Sequence, residues 1–343
     1  MNGLHLPHSR RGLLALGAGA ALVGGAAAYR RVSARRTTDQ TSDGSVAGQP
    51  STDRQGLGWE SLEAPAQREV ATLDGADLAV WDVGGGPTVV LPHCWGCTHA
   101  IWVPVARRLV ESGHRVVLYD QRGHGASTRG TAPLSIETLG HDLSTVLEDR
   151  GVEDAVLAGH SMGGMTIMSL ATYQPKVLAE RACGLVLVAT AAADMASGAI
   201  GMERFASGLM ASPAVSLALR SGAGNRFVRG VFGADPVREQ MDLTRTLFAQ
   251  TTPRVRSGFL TAMTAMNLLE GIATIGIPTT VMIGSKDRLT APARADQLVA
   301  AIPGARLVTL PGRGHMLPLE DPDAVTAEIV RAFTNSAPPR ELE

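Results

Sequence analysis

Residues 155–173 read Ala155-Val156-Leu157-Ala158-Gly159-His160-Ser161-Met162-Gly163-Gly164-Met165-Thr166-Ile167-Met168-Ser169-Leu170-Ala171-Thr172-Tyr173, and this stretch decides the fold. The four apolar residues Ala155–Ala158 are too few for a helix and are closed by glycine, which predicts a buried strand. Met165 to Tyr173 carries a helical pattern. Between the two lies Gly159-His160-Ser161-Met162-Gly163, a Gly-x-Ser-x-Gly join. A turn that tight needs flanking positions nearly free of side chain, and it pushes the serine out at the C-terminal edge of a sheet. Gly164 lets the helix pack close to the strand. The alternative is an ordinary glycine-rich strand–helix turn.

Outward from this elbow the chain alternates between short apolar runs and helical patterns. Val89–Leu91, Arg115–Asp120, Leu185–Ala189, Thr279–Ile283 and Arg306–Leu310 read as strands of a sheet covered on both faces. Trp102–Val110 and Ala324–Phe333 read as helices between them. So does a stretch capped by Ser135, running through Leu139, Leu143, Val146 and Leu147, with Gly151 past its end. The alternation predicts a mainly parallel sheet, led in by an antiparallel pair, Glu69–Leu73 and Leu78–Trp81. Between about 191 and 272 helical signals dominate, with Met195, Met202, Met210, Met241, Met263 and Met266. This segment is expected to be a helical cap inserted into an α/β core formed by 59–190 and 273–335, with a flexible tail over 336–343.

At 18% charged and 45% hydrophobic residues, the 343-residue chain has an ordinary globular composition, and three cysteines are too few for a disulfide-built fold. The formal net charge of −1 gives no reason to expect a nucleic-acid partner. That balance hides an asymmetry, because residues 1–36 carry Arg10, Arg11, Arg30, Arg31, Arg35 and Arg36 and no acid. Ser9-Arg10-Arg11 opens an uncharged Ala/Gly-rich run from Gly12 to Ala28, which as a helix reaches about 25 Å, short of the ~30 Å of hydrocarbon. A paired arginine before a mild apolar run resembles a twin-arginine export signal, with Ala26–Ala28 as a cleavage site. Residues 1–31 are accordingly expected to be an export signal or a membrane anchor, which makes the protein exported or envelope-associated. A basic tail on a cytoplasmic protein is the alternative. Residues 32–58 read as a disordered linker.

A serine hydroxyl needs a base to take its proton, and the base needs an orienting acid. Asp287 ends Val281-Met282-Ile283-Gly284-Ser285-Lys286-Asp287, in the loop after a strand, and His315 lies in the loop after the last strand. Parallel strands bring such loops to one edge, and the order Ser161, Asp287, His315 is the one this architecture uses. Asp287 as the N-cap of a helix near Ala293, His315 as a hydrogen-bonded loop histidine, and Asp194 as a rival acid are the competing readings. The tetrahedral intermediate needs two backbone donors. One is expected from Met162 at the start of the elbow helix, the other from the loop His93-Cys94-Trp95-Gly96-Cys97. His124 and His160 are expected to buttress the site, whereas His99, His114 and His141 carry no assigned role. Cys94 and Cys97 read as free thiols, a small stabilising disulfide or a redox pair, and Cys183 as core. No residue spacing suggests a metal site.

With His93-Cys94-Trp95, Tyr119-Asp120-Gln121-Arg122-Gly123-His124-Gly125, the elbow, Gly284-Ser285-Lys286-Asp287 and Gly314-His315-Met316 in view, residues 69–335 resemble the α/β-hydrolase superfamily. More narrowly they resemble actinobacterial serine hydrolases with a basic, apolar leader. The resemblance implies Ser161 as nucleophile, His315 as general base and acid, Asp287 as its orienter, and Trp95 with Met162 as oxyanion donors. It also implies no cofactor. One departure is that Cys94 stands where similar proteins usually have glycine. The expected activity is hydrolysis of a small-molecule ester through an acyl-enzyme, in the manner of a carboxylesterase or lipase. A Met-rich cap points to a hydrophobic substrate, or simply to cap core. Thioesterase, perhydrolase or haloperoxidase-like, and carbon–carbon hydrolase activities share the triad. A non-catalytic binding protein on the same scaffold is the reading of a different class. Membrane association is expected, if at all, through residues 12–28.

Overall fold

The computed structural model describes residues 68–193, 202–221 and 223–334. Its centre is an eight-stranded sheet in the order β1-β2-β4-β3-β5-β6-β7-β8. The strands are β1 (Arg68–Ala71), β2 (Asp77–Val83), β3 (Thr88–Pro92), β4 (Arg115–Tyr119), β5 (Ala155–His160), β6 (Ala182–Val188), β7 (Thr279–Gly284) and β8 (Arg306–Leu310). β2 pairs antiparallel with both β1 and β4, and the remaining pairs are parallel. β3, β5 and β7 are buried along their whole length, so neither face of the central sheet meets water.

Between β3 and β5 lie α1 (Val103–Glu111) and α2 (Ile136–Asp149); between β5 and β6 lie α3 (Met162–Tyr173) and α4 (Pro175–Arg181). Between β6 and β7 the described chain is helical: α5 (Met202–Ala211), α6 (Pro213–Leu219), α7 (Ala223–Arg229), α8 (Arg238–Gln250), α9 (Pro253–Ala265) and α10 (Leu269–Ile272). α11 (Pro292–Ala301) precedes β8, and α12 (Leu317–Glu320) and α13 (Pro322–Thr334) close the chain. Packing of α1 on α13 and of α2 on α3 completes the layers. Ser135 caps α2 by accepting the Thr138 N–H, as its sequence position predicts.

The strand order reverses between β3 and β5. The chain leaves β3 toward β4 on one side and leaves β5 toward β6 on the other, so the loops after these two strands part at the point where sheets of this kind bind their ligands. Backbone contact there is close. A Cβ placed on Gly163 would sit 2.0 Å from the Pro92 carbonyl oxygen, so glycine at the end of the elbow is a steric requirement of the loop beside it.

One boundary differs from the sequence reading. The first strand ends at Ala71 rather than Leu73 because the Thr72 hydroxyl bonds Asp74, the Thr72 N–H bonds the Ala76 carbonyl, and Gly75 takes φ +80°. This side-chain-driven turn leaves Leu73 exposed. Of the methionines, Met263 is core, Met241 and Met266 pack on the main cluster, and Met195 lies outside the described residues. The leader (1–31), the linker (32–58) and the tail (336–343) also lie outside them. Among the described residues no helix is long and apolar enough to cross a membrane.

Candidate active site

Ser161 follows β5 and opens α3 with φ +54° and ψ −114°, a backbone conformation unusual for any residue with a side chain. Its N–H donates to Val188 and its carbonyl accepts from the Thr190 hydroxyl, so β6 holds the turn in this shape. Thr190 in turn requires Gly164, where a Cβ would meet its side chain at 2.7 Å.

Asp287 and His315 meet on the same edge. The His315 Nδ1–H donates to Asp287 Oδ2 at 2.8 Å, which leaves Nε2 as the free, basic nitrogen. Asp287 also accepts from the Leu289 N–H (2.8 Å), the Thr290 N–H (2.9 Å) and the Thr290 hydroxyl (2.8 Å). Burial pushes its acidity down, but the imidazole beside it and these donors outweigh burial and hold the carboxyl below the usual carboxylate range. Asp287 is not the cap of the next helix: α11 begins at Pro292 behind Ala291, with no side-chain cap. The loops carrying acid and imidazole are tied by Lys286 N–H to the Arg313 carbonyl, and Gly284 packs directly on Gly314. Ser161, Asp287 and His315 are all nearly buried, at 5, 4 and 3% exposure. Among the described residues no hydrogen bond joins Ser161 Oγ to the His315 ring; such bonds commonly tighten only when substrate binds. Asp194, the rival acid, lies outside the described residues.

Two backbone N–H groups in the loops after β3 and β5 are unpaired among the described residues. Met162 is the first residue of α3, and Trp95 is the second residue of a turn closed by Cys97 N–H on the Cys94 carbonyl (3.3 Å); among the described residues neither amide has a partner. The loop bearing Trp95 is fastened from both sides. From the sheet side, Gln121 N–H donates to His93 Nε2 (2.9 Å) and Gln121 Nε2 to the His93 carbonyl (2.5 Å), while Thr166 Oγ1 holds Gln121 Oε1. Gly96 N–H donates to His124 Nε2 at 3.1 Å. From the helical side, Thr251 Oγ1 donates to the Gly96 carbonyl and the Trp95 indole to the Arg256 carbonyl, both at 3.1 Å. Burial depresses His93 to about 4 and His124 to about 3, so both stay neutral and their tautomers are fixed by these bonds. Cys94 turns its side chain into the core with that of Cys97; both are free thiols.

The Asp120–Gly125 motif works as scaffolding. Asp120 accepts the N–H groups of His99 and Ala126, and its carboxylate pairs with the His99 ring at 2.9 Å, which gives His99 a partner that sequence reading did not assign. Arg122 is buried between Asp142 and Asp74, with Nε on Asp142 at 2.6 Å. His160 donates Nε2–H to the His315 carbonyl at 2.8 Å, and burial lowers it to about 3.

Sequence reading missed Glu320. One oxygen of its carboxylate accepts the N–H of Gly233 (2.8 Å) and Gly314 (2.9 Å), and the other accepts that of Met316 (3.0 Å), so it grips both amides flanking His315. The one available signal was an acid five residues after His315, in Met316-Leu317-Pro318-Leu319-Glu320.

The sequence model of the alpha/beta hydrolase family matches residues 89–328. An AB hydrolase superfamily protein of Bacillus subtilis, YisY, is 24% identical over 284 residues, covering 78% of this chain and 98% of its own. Among solved structures, a hydrolase from Pseudomonas aeruginosa superposes with a TM-score of 0.66 at 29% identity, over 79% of this chain and 98% of that one. The enol-lactonase of Burkholderia xenovorans gives 0.65 at 27% identity, over 78% of this chain and all of that one. A reversal of strand order in a mainly parallel sheet, a serine elbow beside it and a matched span containing both loops of the Asp287–His315 pair lead to one assignment: the chain belongs to the alpha/beta hydrolase family and is a hydrolase.

Proposed function

We propose that this hydrolase is a serine carboxylesterase that cleaves a hydrophobic small-molecule ester through an acyl-enzyme. Ser161 Oγ attacks the ester carbonyl carbon as its proton passes to His315 Nε2, and the Asp287 carboxylate stabilises the imidazolium through Nδ1–H. The carbonyl oxygen, now negative, takes the N–H groups of Met162 and Trp95. His315 returns the proton to the leaving alcohol as the carbon–oxygen bond breaks, leaving the acyl group on Ser161. Water then repeats the sequence, releasing the acid and restoring the serine.

The observation that carries this reading is the 2.8 Å Asp287–His315 bond on the sheet edge that also bears the Ser161 elbow. A hydrophobic acyl or alcohol portion is supported by a second apolar cluster, Val215, Leu219 and Phe248, packed on the half-buried Trp95 beside the oxyanion turn. The likeness to an enol-lactonase favours an ester carbonyl, open or cyclic, as the electrophile. A fluorophosphonate probe should label the wild-type protein and not Ser161→Ala, and p-nitrophenyl esters of increasing acyl length should define the preferred chain. Ester hydrolysis or labelling that survives in Ser161→Ala ends this reading. We further infer export of the protein, from Ser9-Arg10-Arg11 and the apolar run behind it. N-terminal sequencing of the mature chain tests this, and an intact Met1 in the cytoplasmic fraction would overturn it.

A further inference from the structure

The turn that presents the Trp95 amide begins and ends in cysteine. Cys97 N–H closes on the Cys94 carbonyl at 3.3 Å, with Gly96 at φ +72° in the third position. A closed four-residue turn holds its first and last Cα within about 7 Å, and a disulfide spans about 4.4–6.8 Å. Both thiols are free, and both side chains are buried in the same core cluster, at 4 and 2% exposure. Their neighbours in the turn are anchored elsewhere, Gly96 through His124 and Thr251 and His93 through Gln121. The Trp95 N–H, enclosed between the two cysteines, has no partner among the described residues.

We propose that Cys94 and Cys97 form an oxidative modification site, a reversible disulfide that clamps the turn carrying the Trp95 amide. One thiolate attacks a sulfur of a low-molecular-weight disulfide and expels one small thiol. The second cysteine displaces the other small thiol and closes the Sγ–Sγ bond. The protein gives up two protons and two electrons, and the reagent becomes two thiols. Burial pushes the Cys94 thiol up, which makes the exchange slow and favours a small reagent. The bond holds the amide where the negative oxygen forms, so its kinetic effect falls on kcat; that effect, unlike the thiol chemistry, rests on the proposed acyl transfer.

The test compares full-length protein treated with hydroxyethyl disulfide or with dithiothreitol, then alkylated under denaturing conditions and weighed. The oxidised sample should lose two alkylation sites and two hydrogens with no reagent adduct, while Cys183 on β6 stays alkylatable. It should melt a few degrees higher. It should also turn over a p-nitrophenyl ester about two- to tenfold faster at unchanged KM, since a better-held oxyanion donor acts on the chemical step. Cys97→Ser should abolish ring closure and, with it, the gains in melting temperature and kcat, because exchange at Cys94 alone can go no further than a mixed disulfide. Mixed adducts without ring closure, two thiols still reactive after oxidation, or a closed bond that alters neither melting nor kcat would each overturn the proposal. The same mass and melting measurements on Ser161→Ala decide it even if no ester is hydrolysed.

Discussion

The Nε2–H of His160 donates to the backbone carbonyl of His315 at 2.8 Å. The residue before the elbow serine therefore anchors the loop that carries the imidazole, and β5 and the loop after β8 cannot move independently. His160→Phe keeps a ring of similar size and removes the donor. Steady-state kinetics should show kcat reduced about 10- to 100-fold with KM within twofold, since a misplacement of the order of 1 Å costs that much. His160→Gln, which retains an N–H, should recover part of the loss. A large rise in KM with kcat unchanged would place His160 in substrate binding instead.

Asp287 and Thr290 differ in what they give the imidazole. Asp287→Asn removes the charge that stabilises the imidazolium and disturbs its tautomer, and should lower kcat about 10⁴-fold. Thr290→Val deletes one of four hydrogen bonds to the carboxylate while its backbone N–H still donates, so a loss of about 10-fold or less is expected. Equal losses in the two variants would mean that the aspartate acts mainly as a structural anchor for its loop.

Glu320 binds three backbone amides that have no other partner among the described residues. Glu320→Ala should cost about 1–3 kcal/mol, read as a lower midpoint in urea. It should also reduce kcat, because two of the three amides flank His315. Glu320→Gln keeps one good acceptor oxygen and should fall between wild type and alanine in both measurements.

Acid should destabilise the protein well before its carboxylates titrate. Burial lowers His93 to about 4 and His124 and His160 to about 3, from 6.5 in the open chain. The unfolded chain therefore binds more protons than the folded one between those values, and stability rises with pH across that window. Unfolding near pH 5 should take up about three protons, one for each of these histidines. Melting temperatures measured from pH 7 to pH 4 should fall steadily, and His124→Gln should flatten the slope by about one proton. Asp287 acts in the same sense lower down: its contribution is present above the ordinary carboxylate range and is lost as pH falls through its depressed value. A flat profile between pH 6.5 and 4 would contradict the buried, neutral state of the three rings.

The sheet and the placement of Ser161, Asp287 and His315 at its edge were legible because each depends on local pattern. A short apolar run ends, and the candidate site residue stands in the next few positions. The elbow was the clearest because steric crowding forces glycine at both of its ends. What escaped was whatever rests on a side chain meeting distant backbone. Glu320 reaches Gly233 across 87 residues, and His160 reaches His315 across 155. No periodicity records such a pairing. The end of β1 was misjudged for a related reason: the bond between Thr72 and Asp74 competes with strand continuation, and a β-branched residue read by propensity alone does not reveal it.

Ser161 has a side chain where the backbone, at φ +54°, would be most comfortable with glycine. Chemistry and conformational ease are opposed at this single position. The surrounding fold, through Val188, Thr190 and the crowding at Gly163, supplies the force that keeps the less comfortable residue there. Replacing Ser161 with glycine would relax that tension, and on the proposed mechanism it would yield a sturdier but inert protein, robustness given up at one position in exchange for reactivity.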